Sequence, residues 1–175
     1  MSTTLSGLRL LDRGLWRLET FVVILGTGAM TVILISQVVM RYLVGAPLFW
    51  AEEAATHLMA YTTLFGLSLL TRGGRLVGVD ALVLLLPSRA RDGIALVLLL
   101  VMFVLAVLFT VIGVDWLALP ATRSEMSATL DMPRWYTYAA VPAAFACMAV
   151  HLLMDILEMR TGQAPPVRHE GVASE

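Results

Sequence analysis

Ionisable side chains stand within several apolar segments of this chain, where such groups commonly mark ion or proton pathways. Glu52 and Glu53 begin one of these segments, and His57 follows Glu53 by four residues. On a helix, Glu53 and His57 would share a face and could pair, and Arg41 is a second possible partner for either acid. Acids at a helix start also suit the positive end of the helix dipole. We therefore expect a structural or partner-docking role, with an ion site as the alternative.

His57 and His151 could ligate a b-type haem only if they lay at the same membrane depth. His57 lies eight residues from the start of its apolar run and His151 sixteen residues from the start of its own. At 1.5 Å per helical residue the two depths differ by about 12 Å. We therefore expect His57 to hydrogen-bond a neighbour and His151 to lie near the membrane boundary. A haem- or quinone-binding anchor of a respiratory enzyme remains an alternative function.

Other catalytic or metal-binding chemistry has no pattern to support it. Cys147 is the one cysteine, so neither an internal disulfide nor a cysteine metal site is expected. The sequence has no nucleophile elbow, phosphate-binding loop or zinc-protease motif. It has no dense basic patch, which argues against nucleic acid as a partner. We therefore expect a protein that is not an enzyme and has no cofactor.

The elements that must hold these residues are membrane helices. The chain is 59% hydrophobic and 14% charged over 175 residues, far from the composition of a soluble domain. Apolar runs occupy residues 21–40, 49–70, 93–117 and 135–157. A helix of about 20 residues crosses the hydrocarbon core, and backbone groups in lipid must satisfy each other. The prediction is an all-α integral membrane protein with a four-helix domain at 21–158.

Arginine placement predicts the direction of these spans. Nine of the twelve arginines would lie on one side of the membrane and three on the other. The positive-inside rule places the nine in the cytoplasm. Both termini of a multi-pass protein in the bacterial inner membrane are then cytoplasmic. The loops 42–48 and 118–134 are then periplasmic.

Three further segments are predicted outside the spans. Residues 1–20 carry leucine and arginine stripes at helical spacing, which is typical of an amphipathic helix on the membrane surface. Residues 76–86 are too few to cross and should lie at the cytoplasmic interface, where Asp80 would pair with Arg72 or Arg75. Residues 159–175 form a polar cytoplasmic tail. The remaining acids are expected close to helix ends, away from the membrane centre.

Several blocks resemble the small membrane subunit of tripartite ATP-independent periplasmic (TRAP) transporters, the DctQ-like family. The first block runs through Arg41 and Tyr42, and the next, at 47–53, holds Trp50 and both acids. The others lie at 65–68, 72, 77–82 and 128–136, the last including Pro133. One departure is Leu76, where family members often have histidine. The Arg-Tyr and Trp-x-Glu-Glu blocks argue against the small subunit of the tricarboxylate-type tripartite system, which is the nearest alternative.

The resemblance implies a function through partners. In that family a separate large multi-span permease carries solute and sodium, and a periplasmic binding protein delivers the solute, often a carboxylate. The small subunit scaffolds the large one within the lipid bilayer. The residues that the resemblance and the polar pattern single out for docking or structure are Arg41, Tyr42, Trp50, Glu52, Glu53, Asp80 and Pro133.

Overall fold

A computed structural model describes residues 2–72 and 88–160, with side chains described for 7–72 and 93–160. The predicted interfacial segment 76–86, with Asp80, lies outside the described residues. So does most of the predicted tail, from residue 161 onward. The described part is all-α, as predicted, and its one β interaction is an isolated bridge between Met126 and Pro133.

Six α-helices and one short π-helix make up the described chain. Four of the α-helices are long, and the two short ones lie in the connection before the last long helix. Their bounds are α1 Ser2–Val39, a π-helix Met40–Val44, α2 Ala51–Thr71, α3 Ser88–Ala118, α4 Pro120–Ser124, α5 Trp135–Tyr138 and α6 Ala140–Arg160.

Three segments are candidate membrane spans by their length and hydropathy. Among the described residues, the segments Gly7–Val44, Gly93–Ala118 and Trp135–Arg160 are long and apolar enough to cross a bilayer. The helix α2, with 21 residues, extends over about 32 Å, also long enough to cross. It is less apolar because it carries Glu52, Glu53 and His57, and its place as a fourth span stays a prediction.

The long helices pack as two antiparallel pairs joined through α6. Gln37 of α1 meets Glu52 of α2, and Asp12 near the start of α1 meets Arg72 just after α2. The helices α3 and α6 pack through Ala106, Met148 and Leu152. The α6 helix also contacts α2 and α1, so it is the central helix of the bundle.

Two glycines let these pairs approach closely. A Cβ on Gly26 would lie 2.6 Å from Cγ2 of Thr62, closer than real Cβ contacts, so a larger residue here would force Thr62 or a helix to shift. A Cβ on Gly113 would lie 3.1 Å from Cβ of Pro142 between α3 and α6. Both positions therefore set an interhelical distance.

The N-terminal segment differs in form from the separate amphipathic helix that was expected. The helix α1 runs from Ser2 to Val39 without a break at residue 20. The face of residues 7–20 that turns into the bundle carries Asp12 and Glu19, while Leu11 and Leu18 are exposed. Since Asp12 and Glu19 contact other helices, this segment is packed as part of the bundle.

Proline explains the interruption before the last helix. Pro142 has no N–H to donate to the carbonyl of Tyr138, four residues earlier. The α5 helix ends at Tyr138, and α6 begins at Ala140 with Pro142 in its first turn. Proline is well tolerated in a first turn, so Pro142 marks the start of α6 and leaves its interior unbroken.

Candidate functional site

The turn between α1 and α2 presents large side chains to the outside. A π-helix ends α1, and Gly45 closes it with a φ of 73° while its N–H bonds the Met40 carbonyl. A left-handed residue after a helix is favoured by glycine. Tyr42 is 74% exposed and Trp50 is 42% exposed. Tyr42 and Trp50, two of the residues predicted for docking, are therefore accessible at this end of the bundle.

Glu52 and Arg41 are not partners of each other. Glu52 accepts a hydrogen bond of 2.9 Å from the side-chain amide of Gln37. The guanidinium of Arg41 lies 5.8 Å from the ring centroid of Tyr42. Arg41 was a possible partner for either acid, but Glu52 bonds Gln37 and Glu53 bonds the segment 125–134 instead. Gln37 lies about one turn before Arg41 on the chain and bonds Glu52.

Glu53 holds the connection between α3 and α6 against α2. Its carboxylate accepts bonds from the N–H of Ala128 at 3.2 Å and of Thr129 at 2.8 Å, and from the Thr129 hydroxyl at 2.5 Å. Arg134 places Nη2 at 3.7 Å from the same carboxylate. One acid at the start of α2 therefore fixes residues about 75 positions further along the chain.

The segment 125–134, which we name the hairpin, is closed by its own bonds. The N–H of Ser127 donates to Met132, and the N–H of Arg134 donates to Glu125. Pro133 lies in the bridge opposite Met126. The Glu125 carboxylate accepts a bond of 2.9 Å from the Arg134 guanidinium, which raises the pKa of Arg134. The hairpin is therefore a defined structure that Glu53 anchors.

His57 and Tyr61 continue the same face of α2 below Glu53. The Nδ1 of His57 lies 2.8 Å from the hydroxyl of Thr137, and its Nε2 lies 3.9 Å from the Glu53 carboxylate. The hydroxyl of Tyr61 donates to the carbonyl of Tyr136 at 2.5 Å. The expected hydrogen bond of His57 to a neighbour is confirmed, and Glu53 lies on the same face of α2, as the four-residue spacing indicated.

A second polar cluster, which we name the buried network, lies toward the opposite end of the bundle. The ring of His151 is fully buried, with Nδ1 at 2.5 Å from Asp12 and Nε2 at 2.9 Å from Glu19. The Ser68 hydroxyl donates to Glu19 at 2.7 Å. Arg72 donates to Oδ2 of Asp12 through Nε at 3.0 Å and Nη2 at 2.6 Å. Three helices therefore meet at one set of charged groups.

The buried network corrects one sequence expectation. The ring of His151 is enclosed between α1 and α6, and its place near the membrane boundary stays a prediction. Glu19 has no exposed surface, although the acids were expected at accessible helix ends. The sequence signal that could have revealed it is the spacing of Asp12 and Glu19. Seven residues apart, they share a helix face, separate from the arginines that form the neighbouring stripe.

The positions of the two histidines bear on the haem alternative. Thr137, the partner of His57, precedes His151 by fourteen residues, or about 21 Å along a helix. Each imidazole also has side-chain partners of its own. The two rings therefore do not face a common site. Within the described residues, no group of His, Cys, Asp and Glu side chains is arranged to hold a metal ion.

Comparison with known proteins places the chain in a family. Residues 30–162 match the family model described as the DctQ component of tripartite ATP-independent periplasmic transporters. That match covers both polar clusters except Asp12 and Glu19. The chain belongs to the DctQ family.

Curated relatives carry the same family name. The chain is 24% identical to the C4-dicarboxylate TRAP transporter small permease protein DctQ of Vibrio cholerae, over 83% of the chain and 72% of that relative. It is 28% identical to the small permease protein of the same name from Rhodobacter capsulatus, over 75% of the chain and 60% of the relative.

A longer relative matches as well. The sialic acid TRAP transporter permease protein SiaT of Haemophilus influenzae is 27% identical over 74% of this chain but only 20% of its own length. The matched part of this chain thus corresponds to about a fifth of that longer relative. As a DctQ protein it is a transporter component in the bacterial inner membrane.

Proposed function

We propose that this chain is the small subunit of a sodium-driven tripartite transporter for a carboxylate solute. In that assembly it scaffolds a separate large permease subunit, which receives solute from a periplasmic binding protein. The match of residues 30–162 to the DctQ component carries the proposal. The names of two relatives, which mention C4-dicarboxylates, and of a third, which mentions sialic acid, support a carboxylate solute.

The distribution of polar contacts supports a frame rather than a solute carrier. Solute sites in secondary transporters lie near the membrane centre at broken helices. The helices α1, α2 and α6 run unbroken. At one end Glu53 of α2 bonds the hairpin, and toward the other His151 of α6 bonds Asp12 and Glu19 of α1. Such contacts hold helices in fixed positions. A large subunit could then move against this frame.

Apolar surface supports contact with lipid and with a membrane partner. The helices α1 and α3 expose apolar side chains along their length, including Ile24, Val32, Val101 and Val104. We propose that part of this surface packs on the large permease and the rest on lipid. The turn with Arg41, Tyr42 and Trp50 lies at the end of α1 and would extend that contact to the periplasmic side.

Transport by reconstituted components tests the proposal. Liposomes that contain this chain alone should not accumulate a labelled C4-dicarboxylate or sialic acid under an inward sodium gradient. Liposomes with the chain, the large permease and the binding protein should accumulate one of them. Uptake by the chain alone would defeat the scaffold role. Uptake by the complete set without a sodium gradient would defeat the sodium-driven mechanism.

The docking role of the turn has its own test. Arg41→Ala and Trp50→Ala should each reduce the amount of large permease that co-purifies with the tagged chain, because both side chains are exposed. Leu10→Ala, also exposed but far from the turn, is the control and should leave co-purification unchanged. Normal assembly and transport in both turn variants would show that the turn does not dock the partner.

A further inference from the structure

We propose that Asp12, Glu19 and His151 form a buried site that binds one proton, carried on the imidazole as its second N–H. This proton fastens the N-terminal half of α1 to α6. The proposal concerns the chain itself and does not depend on which solute is transported.

With both carboxyls ionised, the geometry around the imidazole favours a proton on each ring nitrogen. Nδ1 lies 2.5 Å from a carboxylate oxygen of Asp12, and Nε2 lies 2.9 Å from a carboxylate oxygen of Glu19. A neutral imidazole has one N–H and one lone pair, whereas the imidazolium donates from both nitrogens. With a neutral ring, one nitrogen lone pair would face the lone pairs of a carboxylate. The imidazolium satisfies both contacts.

The charge balance of the site leads to the same result. Asp12 accepts two bonds from Arg72 and Glu19 accepts one from Ser68, as ionised carboxylates do. Two carboxylates and one guanidinium leave one uncompensated negative charge in a buried place, which is costly. A protonated His151 brings the sum of these four groups to zero, and Asp155, one turn further along α6, makes an interaction of its own. Imidazole is a stronger base than either carboxylate, so the shared proton belongs on the ring.

Three elements supply the polar groups around His151, and a fourth, α3, packs apolar side chains beside it. The charged and titratable groups come from α1, from the end of α2 and from α6 itself, where the nearest lie one turn before and after His151. The side chains that α3 packs against α6 beside this site are apolar, among them Leu99, Met102 and Phe103. The polar and titratable groups around the site are Asp12, Glu19, Ser68, Arg72, Cys147 and Asp155.

One isosteric substitution should release the proton and keep the shape. In Glu19→Gln, the amide oxygen can still accept from Ser68, and the amide N–H can donate to Nε2 of His151. The ring then needs only its Nδ1 proton, which it donates to Asp12. The remaining charges of Asp12 and Arg72 cancel. The variant should therefore contain a neutral His151 in an otherwise intact network.

Nitrogen NMR of the full chain in lipid nanodiscs measures this directly. With ¹⁵N-histidine labelling, the His151 signals are those lost in His151→Gln, and each ring nitrogen reports whether it carries hydrogen. At pH 8 we expect two N–H groups on His151 in the wild type and in Glu52→Gln, but one in Glu19→Gln. A single N–H on wild-type His151 at pH 8, or two in Glu19→Gln, would overturn the proposal.

The pH dependence of the folding equilibrium gives a second measurement. Above the ordinary histidine pKa of about 6.5, the unfolded chain has released the proton while the folded chain keeps it. Folding then takes up one proton, so the folding equilibrium constant should fall by up to about tenfold per pH unit. Glu19→Gln should lack this dependence, and Glu52→Gln should retain it. Equal slopes in Glu19→Gln and the wild type, measured by detergent-induced unfolding, would contradict a proton held at this site.

Discussion

At the scale of single residues, Glu52 and Glu53 are adjacent acids with different structural roles. Glu52 bonds Gln37 across the first helix pair. Glu53 bonds two backbone N–H groups and a hydroxyl of the hairpin and lies within ion-pair distance of Arg134. Removing the charge of one acid should therefore have a different consequence from removing the charge of the other.

Glu53→Gln should loosen the hairpin. A carboxylate accepts charge-assisted hydrogen bonds that an amide accepts only weakly, and the amide N–H₂ would face the N–H of Ala128 or Thr129. We expect cleavage by added protease within 125–134 to become severalfold faster in Glu53→Gln. Glu52→Gln is the matched control and should be cleaved at the wild-type rate. Equal rates in all three proteins would mean that Glu53 does not anchor the hairpin.

The residues of the buried network show the limit of local sequence patterns. The pairing of Glu53 with His57 could be predicted because four residues on a helix share a face. Asp12 contacts residues 60 and 139 positions away. Periodicity within one helix cannot reveal which distant helix faces it. Asp12 and Glu19 lie among the arginines of residues 1–20, and the sequence therefore indicated a surface helix and not a buried contact.

At the scale of elements, the apolar runs predicted the helices well. The runs 49–70 and 93–117 correspond to Ala51–Thr71 and Ser88–Ala118. A long apolar segment in lipid can satisfy its own backbone hydrogen bonds only as a helix. A helix at residues 1–20 was also predicted, but not its continuity with the first span or its packing within the bundle. Polar residues do not break a helix, so hydropathy alone does not show where one helix passes into another.

Close approach of α1 and α2 at Gly26 gives a prediction for this helix pair. In Gly26→Ala, the new methyl group would meet Cγ2 of Thr62 at 2.6 Å. Overpacking of this kind costs about 1–3 kcal/mol, so detergent-induced unfolding should occur more readily. Gly28→Ala is the matched control, because nothing lies within 4 Å of a Cβ there, and it should unfold like the wild type.

A second-site change tests the cause of that destabilisation. Thr62→Ser removes Cγ2 and keeps the hydroxyl, which bonds the carbonyls of Leu58 and Met59. The double variant Gly26→Ala with Thr62→Ser should recover most of the lost stability. Failure to recover, with Thr62→Ser alone behaving like the wild type, would show that the close contact at Gly26 does not set the distance between α1 and α2.

At the scale of the whole molecule, the contacts between α1 and α2 bear on the number of membrane crossings. Gln37 meets Glu52 near the turn, and Asp12 meets Arg72 at the other end. Asp12 and Gln37 are 25 residues apart on one helix, or about 38 Å, which exceeds the hydrocarbon thickness of about 30 Å. If α1 crosses the bilayer, α2 must therefore return across it.

The last prediction is that both termini lie in the cytoplasm. Four crossings put the two ends of the chain on one side, whereas three would put them on opposite sides. The nine-to-three distribution of arginines makes that side the cytoplasm. Alkaline phosphatase, which is active only in the periplasm, should therefore be inactive when fused after Glu175. The same enzyme inserted between Ala46 and Pro47 should be active, because that turn is periplasmic in this topology, and it serves as the positive control. Activity after Glu175 would contradict the four crossings if the insertion after Ala46 is also active, and the predicted orientation if that insertion is inactive.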